Sequence, residues 1–259
     1  MFTSKHFMVK TIAFVNQKGG TGKTTTCVNI AAALALKKYK ILLIDLDGQA
    51  NTTISLGIDP LEVKRSMYDV LLNHIELEEI VQQSPRENLW LAPANIELAN
   101  SDISLEGHQT RLKEIIQSYK ERFDFLLIDC PPSLSLLTVN ALSASDGVII
   151  PILCDYLSLE GLKQLLLSIE KVKNRFNHGL TILGILPNKV DRRRNLTNET
   201  LELIKKEFPK EVFKTEVPVC AALAEAPSFG KDIFGYTSWS TGAIAYKEVT
   251  TELLRRIEK

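Results

Sequence analysis

The segment Lys18-Gly19-Gly20-Thr21-Gly22-Lys23-Thr24-Thr25 gathers three glycines, two lysines and three threonines into eight residues. Glycines at this density let a backbone fold tightly and turn its N–H groups towards an anion. A helix beginning near Lys23 would add the positive end of its dipole. In that geometry Lys23 reaches the β- and γ-phosphates of a nucleotide, the Thr24 hydroxyl ligates Mg²⁺, and Thr25 bonds an α-phosphate oxygen. Asp129 ends an apolar run, a position from which a carboxylate holds Mg²⁺ directly or through water. Asp45 and Asp47 close another such run. The chain is leaving the strand there, so the two-residue strand period does not assign their roles. Asp45 could equally cap a helix or form a turn. The amide of Asn188 can pair with both edges of adenine, or form a turn. Arg192-Arg193-Arg194 is the densest basic run. It suits sequence-independent contact with DNA phosphates, or the solvated start of a helix.

These residues need a frame, and the apolar runs supply one. Strands are predicted at 11–15, 40–45, 88–92, 124–129, 147–152 and 180–185, and helices at 24–38, 105–122, 159–175 and 242–258. Short Val/Ile/Leu runs without alternation mean strands buried on both faces. With helices between them, the expected fold is α/β: a doubly wound, mostly parallel central sheet flanked by helices. Ligands of such sheets bind at the carboxyl ends of the strands. Lys18, Asp45, Asp47, Asp129 and Asn188 all fall at or just after predicted strand ends. No Pro/Gly/Ser-rich linker or internal repeat interrupts the chain, so 1–259 is read as one domain, with 1–9 a flexible N-terminal extension.

The glycine-rich loop departs from G-x-x-x-x-G-K-[ST]. Gln17 stands where the first glycine should be, and Lys18 follows it. K-G-G-x-G-K-[ST] marks the deviant Walker A class of P-loop NTPases. With Leu42-Leu-Ile-Asp-Leu-Asp-Gly-Gln-Ala-Asn51, Ile128-Asp-Cys-Pro-Pro-Ser133, Leu157-Ser-Leu-Glu-Gly161 and Glu225-Ala-Pro-Ser-Phe-Gly-Lys231, the chain resembles the ParA/Soj chromosome- and plasmid-partition ATPases, relatives of the MinD division-site ATPases. The resemblance implies weak, partner-stimulated hydrolysis of ATP to ADP with Mg²⁺. It implies that Lys18 crosses a dimer interface to the partner's ATP, so that the chain is a homodimer when ATP-bound. It further implies that Asp47 orients the attacking water, that Asp45 supports the Mg²⁺ shell or the loop, and that Asn188 bonds adenine. A ParB-like protein is the implied partner, and non-specific DNA the implied surface.

The chain also departs from this family. Val219 and Ala222 stand where arginines are usual, Thr237-Ser-Trp-Ser-Thr-Gly-Ala243 replaces an arginine-bearing stretch, and Gly48 and Ala50 replace a usual Pro and Gly. Arg193 matches the earlier of the family's DNA-contacting arginines. The alternative is therefore a MinD-like positioning switch that reads a protein or membrane surface with little DNA binding. A membrane anchor would need an amphipathic tail. The 247–259 segment has few apolar residues and no Phe or Trp, so no stable anchor is expected.

Thirty-one basic and 31 acidic side chains balance, so any DNA contact must be a local patch. Cys27, Cys130, Cys154 and Cys220 form no CxxC pair, which excludes the cluster- and metal-binding relatives and suits a reducing compartment. The start has no apolar leader-like core, and no apolar run approaches the roughly 20 residues of a membrane span. A cytoplasmic protein is expected, nucleoid-associated insofar as it binds DNA.

Overall fold

The computed structural model describes residues 10–101 and 103–258. The predicted 1–9 extension lies outside them. Seven strands form one sheet in the order β3-β4-β2-β5-β1-β6-β7. They are β1 (Lys10–Phe14), β2 (Ile41–Asp45), β3 (Gln82–Gln83), β4 (Leu89–Ala92), β5 (Phe125–Asp129), β6 (Gly147–Leu153) and β7 (Thr181–Asn188). Every pairing is parallel except that of the short edge strand β3 with β4. The helices are α1 (Lys23–Leu36), α2 (Asn51–Ser55), α3 (Met67–Leu72), α4 (Arg111–Gln117), α5 (Leu136–Ala144), α6 (Tyr156–Phe176), α7 (Asn195–Glu207), α8 (Ala221–Glu225), α9 (Ile233–Tyr236) and α10 (Thr241–Ile257).

Alternate residues of every strand but the short edge strand β3 feed two apolar layers. Ile12 and Phe14 join α1 and α10 on one face, whereas Ala13, Leu42 and Ile128 join α3, α4, α5 and α6 on the other. This double covering is why the strands read as unbroken apolar runs. Helix α1 is buried almost all round, because α10 lays Ala243, Tyr246, Val249 and Leu253 over it. The tail's apolar stripe is thus spent on packing. The predicted 105–122 helix is shorter than expected. One 3₁₀ turn holds Ile103–Leu105, and α4 covers only Arg111–Gln117. Between them Asn140 of α5 caps the start of α4, its Oδ1 accepting from Leu112 N at 3.0 Å. No helix among the described residues is long and apolar enough to cross a membrane.

Register places the polar residues together. Phe14 and Asp45 both lie opposite Asp129, so the ends of β1, β2 and β5 are adjacent. Leu153 of β6 lies opposite Asn188, bringing the β7 end to the other side of the β1 loop.

Candidate nucleotide site

The loop from β1 to α1 is fastened at both ends. Asn16 Nδ2 donates to Pro151 O at 2.7 Å, and its Oδ1 accepts from Lys18 N at 3.0 Å. At the other end Gly22 has φ +87°, and a Cβ there would lie 2.2 Å from Asn188 Nδ2. Only glycine fits both the angle and the contact. Asn188 is the last residue of β7 rather than beyond it, and is buried. Its Nδ2 donates to Thr21 O at 3.0 Å and reaches Thr26 Oγ1 at 3.3 Å, and Thr26 in turn shares a 3.1 Å bond with the buried Tyr246 hydroxyl. The Asn188 amide is thus committed to the loop. It also lines a small cavity of about 100 Å³ with Thr25, Pro218 and Cys220.

Gly19, Gly20, Lys23, Thr24 and Asp47 line one cleft of about 420 Å³. Lys23 is 7% exposed and, among the described residues, is in no ion pair. Asp129 and Asp47 lie near it but not in ion-pair contact, and a buried ammonium ion without a direct partner favours an anion entering the cleft. The first turn of α1 turns its free N–H groups to the same place.

Three carboxylates lie at or just after the ends of the adjoining strands β2 and β5. Asp129 is fully buried, and its Oδ2 accepts the hydroxyls of Thr24 and Thr52, each at 2.7 Å. Its Oδ1 is buried with no hydrogen-bond partner. An orphaned carboxylate oxygen beside a threonine hydroxyl fits a hard cation such as Mg²⁺, which takes few protein ligands and keeps waters or phosphate oxygens. Asp45 differs. Its Oδ1 accepts from Asp47 N at 3.1 Å, and its Oδ2 accepts both the N–H and the hydroxyl of Thr53 at 3.0 and 2.8 Å. Both oxygens hold the loop that carries Asp47. Burial, then the neighbouring Asp129, pushes the Asp45 carboxyl well above the usual carboxylate range. Burial also pushes Asp129 up, against the Thr24 and Thr52 hydroxyls and the Lys23 charge. Asp47 lies at the cleft wall, its Oδ1 accepting from Gln49 N at 3.0 Å.

The two departures beside Asp47 have physical consequences. Gly48 lies against the backbone of Ala99, where a Cβ would come within 2.5 Å of Ala99 N. Ala50 has φ +54°, a left-handed conformation that strains an alanine.

Lys18 turns away from the cradle within its own chain. Its Nζ donates to Asp155 Oδ2 at 2.8 Å and to Ser158 Oγ at 3.2 Å, at the start of α6. Burial pushes Asp155 up, but bonds from Lys18 and Ser158 outweigh it and hold the carboxyl below its usual range. The arginine run is largely compensated by acids. Arg192 forks onto Glu216, with Nε 2.9 Å from Oε2, and Lys205 joins the same carboxylate at 3.1 Å. Arg193 pairs with Asp191 through bonds of 2.8 and 2.9 Å. Arg194 is exposed at the start of α7. In the tail, Arg256 serves the fold, donating to Leu183 O, Glu211 O and Val212 O and lying over Phe213. Val219 is exposed, and Trp239 is 81% exposed.

Thr52, Thr53, Asn16 and Asp155 were not legible as site residues. Thr52 is 77 positions from Asp129 in the chain, and no local pattern joins them.

A family described as an AAA domain matches residues 9–182. The sporulation initiation inhibitor protein Soj of Bacillus subtilis is 44% identical over 95% of this chain and 98% of that protein. The chromosome partitioning protein ParA of Myxococcus xanthus is 39% identical over 95% of this chain and 88% of its own. The chain belongs to the ParA/Soj family of partition ATPases. Among solved structures, one described as cobyrinic acid a,c-diamide synthase from Mycobacterium smegmatis, with ADP and magnesium bound, superposes with a TM-score of 0.85. It is 34% identical, and the match covers 97% of this chain and 96% of that one. MinD of Pyrococcus horikoshii with Mg-ADP gives 0.79 at 26% identity, covering 95% and 96%.

Proposed function

We propose that this ParA/Soj-family chain is a Mg²⁺-dependent ATPase whose ATP-bound form dimerises, binds DNA non-specifically and drives chromosome or plasmid partitioning with a ParB-like partner. The observation that carries the nucleotide assignment is the buried, unpaired Lys23 in a glycine loop, beside a carboxylate oxygen left without a partner. Lys23 and the loop N–H groups hold the β- and γ-phosphates. Thr24 and Asp129 hold Mg²⁺, which supplies neutralisation of charge on the phosphate oxygens. Asp47 orients the water that attacks the γ-phosphorus as the bond to the β–γ bridging oxygen breaks. Asp45 holds the Asp47 loop in place. The Asn188 amide takes the adenine: Nδ2 is held by Thr21 and Thr26, while Oδ1 accepts from Lys189 N and keeps a second lone pair for the adenine amino group.

Dimerisation turns Lys18 into a switch. In the single chain it rests on Asp155. In the proposed dimer it moves to the phosphates of the partner's ATP, a charge supplied in trans of the kind worth about 10³–10⁵ in rate. ATP then favours the dimer and ADP does not, which makes hydrolysis the release step.

The second reading, a MinD-like switch read by a protein or membrane surface, is favoured by one finding. Arg192 and Arg193 are engaged by Glu216 and Asp191, and the arginines usual at 219 and 222 are absent. Asp47→Ala protein held with Mg-ATP, tested on arbitrary duplex DNA at about 50 and about 200 mM salt, separates the two. ATP-dependent, salt-sensitive binding supports partition at the nucleoid. A formed dimer that ignores DNA supports the alternative.

A further inference from the structure

Thr52 lies on α2, five positions after Asp47, and is fully buried. Its hydroxyl donates to Asp129 Oδ2, the oxygen that also accepts the Thr24 hydroxyl. Both donors fall on one oxygen, which leaves Oδ1 without a hydrogen-bond partner. The next residue is tied differently. Thr53 donates through N–H and hydroxyl to Asp45, and its oxygen accepts from Ala94 N at 3.1 Å. Between Asp45 and α2 the side-chain ties are local, Asp47 N to Asp45 and Gln49 N to Asp47. Among the described residues, Thr52 gives this segment its side-chain bond to the Asp129 carboxylate.

The tie matters because the segment is strained. Ala50, two positions before Thr52, is held at φ +54° and ψ +31°. A non-glycine residue stays in that region only where its surroundings over-determine it. Thr52 anchors the far side of the strained residue, and Asp45 anchors the near side. A valine would fill the volume of Thr52 almost equally, so the requirement at this position is for the hydroxyl.

We propose that Thr52 is a positioning residue for ATP hydrolysis. It fastens the Asp47 loop to the Asp129 carboxylate, which would hold Mg²⁺, so that Asp47 meets the attacking water in one place. This rests on the nucleotide reading of the Lys23 loop. Thr52 is fully buried and is not among the residues that line the cleft, so it acts through Asp129 and the loop.

The test compares Thr52→Val and Thr52→Ser with the parent, with Thr52→Ala as a second loss of the hydroxyl. Three quantities are read: amide hydrogen exchange of residues 46–54 without nucleotide, affinity for a fluorescent ATP analogue with Mg²⁺, and basal kcat and KM. Thr52→Val is expected to exchange faster across 46–54 and to bind the analogue within about threefold of the parent. Its kcat should fall about 10- to 100-fold, the range expected when a reacting group is misplaced by about an ångström. Thr52→Ser should restore all three. Unchanged exchange and kcat in both Val and Ala variants overturn the proposal. So does loss of analogue binding in them, which would make Thr52 part of the binding site, and so does failure of Ser to restore turnover. Lys23→Ala, measured alongside, tests the underlying reading separately. Tight binding by that variant would refute the nucleotide assignment while leaving the exchange result for Thr52 to stand.

Discussion

Replacing Gly22 by alanine perturbs the cradle through two effects whose sizes follow from the geometry. Gly22 has φ +87°, and an L-residue in the left-handed region costs about 1–2 kcal/mol. The new Cβ would also sit 2.2 Å from Asn188 Nδ2, so the amide must move. Asn188 would then release Thr21 O and Thr26 Oγ1, two bonds worth about 0.5–1.5 kcal/mol each in net terms. The combined penalty on the native loop is about 2–5 kcal/mol. It falls on the arrangement proposed to bind phosphate rather than on the whole fold, because the apolar layers do not depend on the loop. Nucleotide affinity should therefore weaken at least about 30-fold, at 1.4 kcal/mol per factor of ten. Titration calorimetry with Mg-ADP measures this, and a thermal melt checks that the protein is folded. Adding Asn188→Ala to Gly22→Ala removes the collision but leaves the backbone strain. The double variant should recover part of the loss, a non-additivity expected of contacting residues. Affinity of Gly22→Ala within about threefold of the parent would refute the clamp.

Four further outcomes are expected. Ala50→Gly relieves the strain at φ +54° and should stabilise the protein by about 0.5–1 kcal/mol in a denaturant melt, and a loss of stability would contradict it. Arg86→Ala strips the bidentate partner, at 2.6 and 2.7 Å, from the largely buried Asp232, and should cost about 3 kcal/mol in the same assay. Asp155→Asn keeps the cap on Ser158 N but removes the charge that holds Lys18. That pair is 41% and 38% exposed and worth at most about 1 kcal/mol, and two are broken per dimer, so the ATP dimer should tighten by no more than about 30-fold in sedimentation. Lys23→Ala should abolish binding of Mg-ATP by calorimetry.

Much of this arrangement is written in short stretches of the chain. The apolar run and glycine loop before Lys23 specify a strand, a turn and a helix start, and all three form within a residue or two of expectation. Asp45 and Asp129 are recognisable because each closes a fully buried strand. What escaped is what depends on register across the sheet. Thr52 meets Asp129 only because β2 and β5 are neighbours, and Lys18 meets Asp155 only because β6 lies beside β1. Helix α5 escaped for another reason. Polar Thr138, Asn140 and Ser143 are buried in it beside Leu137, Ala141 and Leu142, so it shows no amphipathic stripe. The arginine run is legible as basic, yet the acids that answer it lie at Asp191 and at the distant Glu216.

The central claim is that ATP joins two copies of this chain through Lys18. Asp47→Ala protein, with and without Lys18→Ala, would be sedimented in Mg-ATP and in Mg-ADP. The account predicts twice the 29.0 kDa monomer mass for Asp47→Ala in Mg-ATP, and monomer in Mg-ADP and in every Lys18→Ala sample. Equal masses in the two nucleotides, or a full ATP dimer without Lys18, would contradict it.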